Sequence, residues 1–152
     1  MSPVRPAVLL ALFAFAASGP AFGQPAAEAV KARQANFKQL GGAFKQINDA
    51  LKADTPDRAL IQANAIKADQ LAGKLGTWFP RGSGPESGVE TAAKAEAWTD
   101  AAGFAAAARA LKAETAKLAQ LSLNGDADAL RAQGRAVGAT CKSCHDKFRV
   151  PK

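Results

Sequence analysis

The sequence predicts an all-α protein built as an antiparallel four-helix bundle. Three observations carry this. From Gln24 onward the chain is rich in Ala, Leu, Lys, Gln and Glu, and Tyr is absent; these are mostly good helix formers. Apolar residues recur at helical steps in four separate stretches. All but one of the links between those stretches are short, which favours antiparallel neighbours. No strand pattern and no internal repeat appears.

Residues 1–23 stand apart from this pattern. Arg5 is followed by an apolar run from Ala7 to Ala17, then by the small-residue site Ala21-Phe22-Gly23 before Gln24. That is the layout of a secretory signal peptide. An uncleaved N-terminal anchor is the alternative, but the run is short for a bilayer span, and no later segment approaches the length required. The expected mature domain is therefore 24–152, exported to the periplasm. Its net charge is +6, since only Arg5 is lost from a total of +7. Lys and Arg are spread along the chain with acids between them, without the basic stripe that nucleic acid would need. The residue pattern reads as a solvated helical surface, or as one attractive to an acidic partner protein.

The first helix is expected over roughly 26–52. Its apolar residues Val30, Phe37, Leu40, Phe44, Ile47 and Leu51 follow the near-3.5 repeat of a bundle helix. Gly41-Gly42 in its middle disfavours helix, which suggests close approach of a neighbour or a ligand. Thr55 and Pro56 predict the start of the second helix, which carries Leu60, Ile61, Ile66, Leu71 and Leu75 and stops near Gly76. The Gly- and Pro-containing stretch TWFPRGSGPESGVET is the one long loop, and such loops are often functional. The third helix is expected over 94–121, ending at Asn124-Gly125. Asp126 is placed to cap the fourth, which carries Leu130, Val137, Cys141, Cys144 and Phe148 before Pro151.

The chemistry sits on that last helix. Cys141, Cys144 and His145, in the run C-K-S-C-H, are the only cysteines and the only histidine in the chain. At these spacings they share one helical face. A disulfide across two intervening residues would staple very little. Zinc needs three or four convergent ligands, and no further Cys or His exists to complete a set. A thioredoxin-type C-x-x-C belongs to a βαβ setting. The pattern is also the attachment signature of c-type haem: two thiols add to the vinyl groups as thioethers and the following His binds the iron. This reading uses every Cys and His. No acid–base pair or substrate cleft is readable, so enzymatic turnover is not expected.

The segment Cys141-Lys142-Ser143-Cys144-His145-Asp146-Lys147-Phe148-Arg149, together with Arg33-Gln34-Ala35-Asn36-Phe37 and the weaker Trp78-Phe79-Pro80 through Gly88-Val89-Glu90-Thr91, is similar to the class II c-type cytochromes, the cytochrome c′ family. The resemblance spans nearly all of the mature chain. It implies one haem c bound through Cys141 and Cys144, with His145 on the iron. It further implies that Arg33 and Gln34 contact the haem propionates, that Glu90 and Thr91 border the haem, and that Arg149 flanks the proximal pocket, on the reasoning that it lies four residues after His145. Phe37 matches the residue facing the distal side of the iron. Low-spin members place a Met there, whereas the only Met in this chain is Met1. The implied iron is therefore five-coordinate and high-spin, binds NO and CO, and transfers electrons at modest rates. The alternatives are a low-spin carrier docking on acidic redox partners, with Lys38 the nearest candidate sixth ligand, and a haem-free helical interaction module. Homodimers of the family form through the first two helices, where Val30 and Leu60 would supply the surface.

Overall fold

The computed structural model describes residues 23–151. The expected signal peptide lies outside them, apart from Gly23, where α1 (Gly23–Ala50) begins. The other helices are α2 (Arg58–Lys74), the single turn α3 (Glu96–Thr99), α4 (Ala101–Asn124) and α5 (Ala127–Phe148), with short 3-10 turns at Leu75–Trp78 and Pro85–Ser87. The four long helices form the predicted bundle. α1 packs on α2, α2 on α4 and α4 on α5, whereas α1 and α5 touch only sparingly. Ile47, Ile61, Leu118 and Leu130, one from each long helix, are fully buried. Burial of side chains this size contributes about 1.5–3 kcal/mol each.

Several local expectations are corrected. α2 is capped by Asp57, not Thr55: its side chain accepts from the Leu60 N–H at 3.0 Å. The α2 core stripe is Ile61, Ala65, Ala68 and Ala72, while Leu60 and Ile66 stay exposed. Alanines at helical spacing let neighbouring helices approach, so they take the inner face and push the branched residues out. The third helix is interrupted. Asp100 leaves the helical conformation (φ −104°, ψ 63°), and its carboxylate accepts from the Gly103 N–H at 2.9 Å, so it caps α4. Val30 is 2 % exposed and cannot serve a dimer surface, whereas Leu60 can. A Cβ built on Gly41 or Gly42 meets nothing within 4 Å, so no protein neighbour explains that pair.

The long loop is held at both ends. Its left-handed turns fall at Gly82 (φ 77°) and Gly88 (φ 71°), where a Cβ would be strained. Residues 92–94 pair with the segment leaving α5: the Val150 N–H donates to Ala92 O at 2.8 Å and the Lys94 N–H to Phe148 O at 2.9 Å, around the bridge Ala93–Arg149.

Candidate functional site

The site lies where α1 and α5 part. At one end they meet. Arg131 Nε donates to Leu51 O at 3.0 Å. A Cβ added at Gly134 would sit 3.4 Å from Asn48 Oδ1, and one at Gly138 3.8 Å from the Phe44 ring. These three pairs fix an antiparallel register, 51 with 131, 48 with 134 and 44 with 138. Extended along both helices, the same register aligns Gly41 with Cys141 and Phe37 with His145, while Arg149 lies beyond the end of α5. Gly41 has open space above it. The far end is bridged by the loop: Thr91 accepts from Arg33 on α1, and Ala93 pairs with Arg149 after α5. Phe44 and Arg33 are eleven residue steps apart on α1, a slot span of about 16 Å at 1.5 Å per residue.

The donor groups line one side of this slot. Cys141 and Cys144 are free and half-buried on α5. Burial pushes both thiols up, and Cys141 adds to the effect at Cys144, so both are protonated at neutral pH. His145 is exposed on the same turn. Partial desolvation, then the nearby Arg149 guanidinium, hold its imidazole below the ordinary value, against the smaller opposing influence of Asp146. A neutral imidazole is the form that ligates metals. No hydrogen bond among the described residues engages its ring. Two thiols one turn apart, an uncommitted imidazole and the open space above Gly41 and Gly42 on the neighbouring helix fit a covalently held haem.

The other predicted residues are placed as follows. Phe37 is half-buried, its ring centroid 5.1 Å from Trp78 and 6.1 Å from Phe79, both edge-on. Arg33 is buried and its guanidinium is committed to the loop. Gln34 Nε2 donates to Glu90 O at 3.5 Å, and both residues line an open groove of about 400 Å³ with Ala27, Val30, Lys31 and Val89. Arg149 does not share the helical face of His145. It follows the last residue of α5 in an extended conformation (φ −124°, ψ 138°), and its N–H donates to His145 O at 3.0 Å. It stays near the imidazole because α5 ends there and the bridge to Ala93 holds it. Ser83, 1 % exposed, was not singled out from the sequence; its place between two glycines was the only signal.

Residues 28–149 match the family model for cytochrome C′. The chain belongs to the cytochrome c′ family. It is 36 % identical to cytochrome c′ of Alcaligenes xylosoxydans over 126 residues, 82 % of this chain and 95 % of that protein. Among solved structures, the ferrous variant of Alcaligenes xylosoxidans cytochrome c prime with bound NO superposes with a TM-score of 0.74 at 32 % identity, covering 84 % of this chain and 97 % of that one. A cytochrome c′ with an unusual ligand-controlled dimer dissociation gives a TM-score of 0.77 at 26 % identity, covering 83 % and 97 %. The helical bundle of cytochrome c′ is thus the fold of this chain.

Proposed function

We propose that the mature chain, 24–152, is a periplasmic haem protein that binds NO and CO at five-coordinate, high-spin iron. The observation that most supports this reading is the α1–α5 register, which, extended beyond its three contacts, aligns apolar Phe37 with His145. One haem c would be held by Cys141 and Cys144 as thioethers and by His145 as axial ligand. When bound, it supplies a free coordination position and a one-electron couple. The protein's own residues do the rest. Partial burial disfavours the reactive thiolate at both cysteines. Phe37 offers no donor and excludes water from the distal side. Gln34, Glu90 and Thr91 would border the bound haem on the loop side, and Arg149 would flank it beside His145. The solved relative with bound NO supports the choice of ligand.

The test is the visible spectrum of the holoprotein, ferric and dithionite-reduced, with and without NO or CO. A broad, unsplit reduced spectrum that shifts with gas is expected. A sharp low-spin spectrum indifferent to gas would overturn the reading.

A second role, electron transfer to an acidic partner, is favoured by one feature. Lys31, Lys38 and Lys45 on α1 and Lys52 just beyond its end recur at seven-residue steps and are all exposed. That role requires exchange with a partner that slows as salt rises. A homodimer through α1 and α2 would use exposed Leu60 and Ile66. Sedimentation of Leu60→Glu against the unaltered protein tests it, and equal masses would remove that interface.

A further inference from the structure

Arg33 spends its guanidinium on the loop. Nη1 donates to Ser83 Oγ at 3.0 Å and to Trp78 O at 3.5 Å, and Nη2 to Ser83 O at 3.0 Å and Thr91 Oγ1 at 2.9 Å. Its Cζ lies 4.8 Å from the Phe79 ring centroid and 5.3 Å from that of Trp98. Only 3 % of the residue reaches solvent. The Ser83 hydroxyl, which accepts from Arg33, itself donates to Pro80 O at 2.8 Å, and the Trp98 indole N–H donates to the same carbonyl at 3.1 Å. One cation therefore gathers residues 78, 79, 83, 91 and 98 onto α1. Four of the five N–H donors of a guanidinium are directed into this cluster.

The cluster touches the slot through its aromatics. Trp78 and Phe79, which Arg33 bonds and stacks, are the rings packed edge-on against Phe37 one helical turn away. Phe79 leans in turn on Phe104 at 4.5 Å, and Phe104 on Phe148 at 5.3 Å. Movement of the Phe37 ring toward these aromatics requires the wall to yield.

We infer that Arg33 is a positioning residue: it latches the 78–91 loop onto α1 and so fixes the Trp78–Phe79 wall that sets how readily a small ligand passes Phe37. Only the last step rests on the gas-binding reading. A lysine keeps the charge but lacks the planar fork and the stacking surface. A propionate contact would be largely preserved by Arg33→Lys and untouched by Ser83→Ala, whereas a latch is weakened by both.

Two measurements on the holoprotein decide it. The loop carries its own reporter, since Arg81 is exposed beside Gly82 and is a trypsin site within the latched segment. Cleavage after Arg81, followed by mass spectrometry, is expected to speed up by about tenfold in Arg33→Lys and Ser83→Ala, because such cleavage tracks local opening. The association rate of CO with the reduced protein is expected to rise by roughly three- to tenfold in the same variants, by lowering the barrier at Phe37. A purely structural role for Arg33 would move the cleavage and leave the CO rate alone, which overturns the gating step. Unchanged cleavage in both variants overturns the latch, and so does a change in Arg33→Lys with none in Ser83→Ala. No CO binding by the unaltered protein overturns the gas-binding reading and the gating step, while the cleavage rates still decide the latch.

Discussion

Phe37 concentrates the functional question into one side chain. Residues 24–152 contain no Met, and their single His is His145, so on the proposed reading the position at Phe37 has no strong donor unless one is introduced. Phe37→Met places a thioether where the register faces His145. The expected outcome is conversion toward a sharp, low-spin spectrum with weakened CO binding, read by absorption and by the CO titration midpoint. An unchanged spectrum would remove Phe37 from the distal side. A control away from the slot is Leu118, fully buried in α4. Leu118→Ala should cost about 2–5 kcal/mol in chemical denaturation while leaving the spectrum as it was. Cys141, Cys144 and His145 stand out in the sequence because the chain holds no others of their kind. The engagement of Arg33 was not, because its partners lie 45 to 58 residues away and no local pattern announces them.

Helix ends were read with uneven success, for identifiable reasons. The start of α5 was legible: Asn124-Gly125 stops one helix and Asp126 caps the next, accepting from the Ala129 N–H at 2.7 Å. Asp126→Ala should therefore cost about 1 kcal/mol of unfolding free energy, and Asp126→Ser should keep most of it. Equal losses in both would mean that Asp126 acts through its charge at the helix start and not through the capping bond. The start of α2 was misread because Thr55, Pro56 and Asp57 all carry start signals, and only Asp57 sits at the right distance from Leu60. The break at Asp100 was hidden in an alanine-rich run whose propensity favours continuous helix. The Ala stripe of α2 was missed because hydrophobic periodicity is usually sought in large residues, while the tightly packed face uses Ala65, Ala68 and Ala72. Arg149 was assigned a helical face on spacing alone, but α5 ends one residue earlier and the bridge to Ala93 takes over.

At the scale of the whole molecule, the bundle has one seam left open, between α1 and α5. Every other adjacent pair of long helices is packed, so the slot depends on how firmly α4 carries α5. Polar ties supplement the core there. Lys147 near the end of α5 pairs with Asp100 at the start of α4, and Gln133 Nε2 donates to Glu114 O at 2.9 Å and to its carboxylate at 2.7 Å. Asp100 is held below its ordinary value by Lys147 first and then by the Gly103 N–H. Glu114 is lowered by Lys117 and Gln133. On α1, the bonds from Lys45 and then Lys52 bring Asp49 down to about 2. A carboxylate whose folded value is depressed stabilises fully above its unfolded value and loses that contribution as pH falls through the folded one. For Asp100 that window begins at 3.8 and runs downward. Asp100→Asn keeps a competent cap but loses the charge, the pairing with Lys147 and the linkage to protons. Thermal melts of the two proteins should therefore differ at neutral pH, with the unaltered protein the more stable, and converge as pH falls below 3.8. A gap that persists unchanged below that range would show that Asp100 acts through geometry alone. A gap that closes, accompanied by no spectral change at neutral pH, would show that the α4–α5 tie supports the open seam without touching the chemistry inside it.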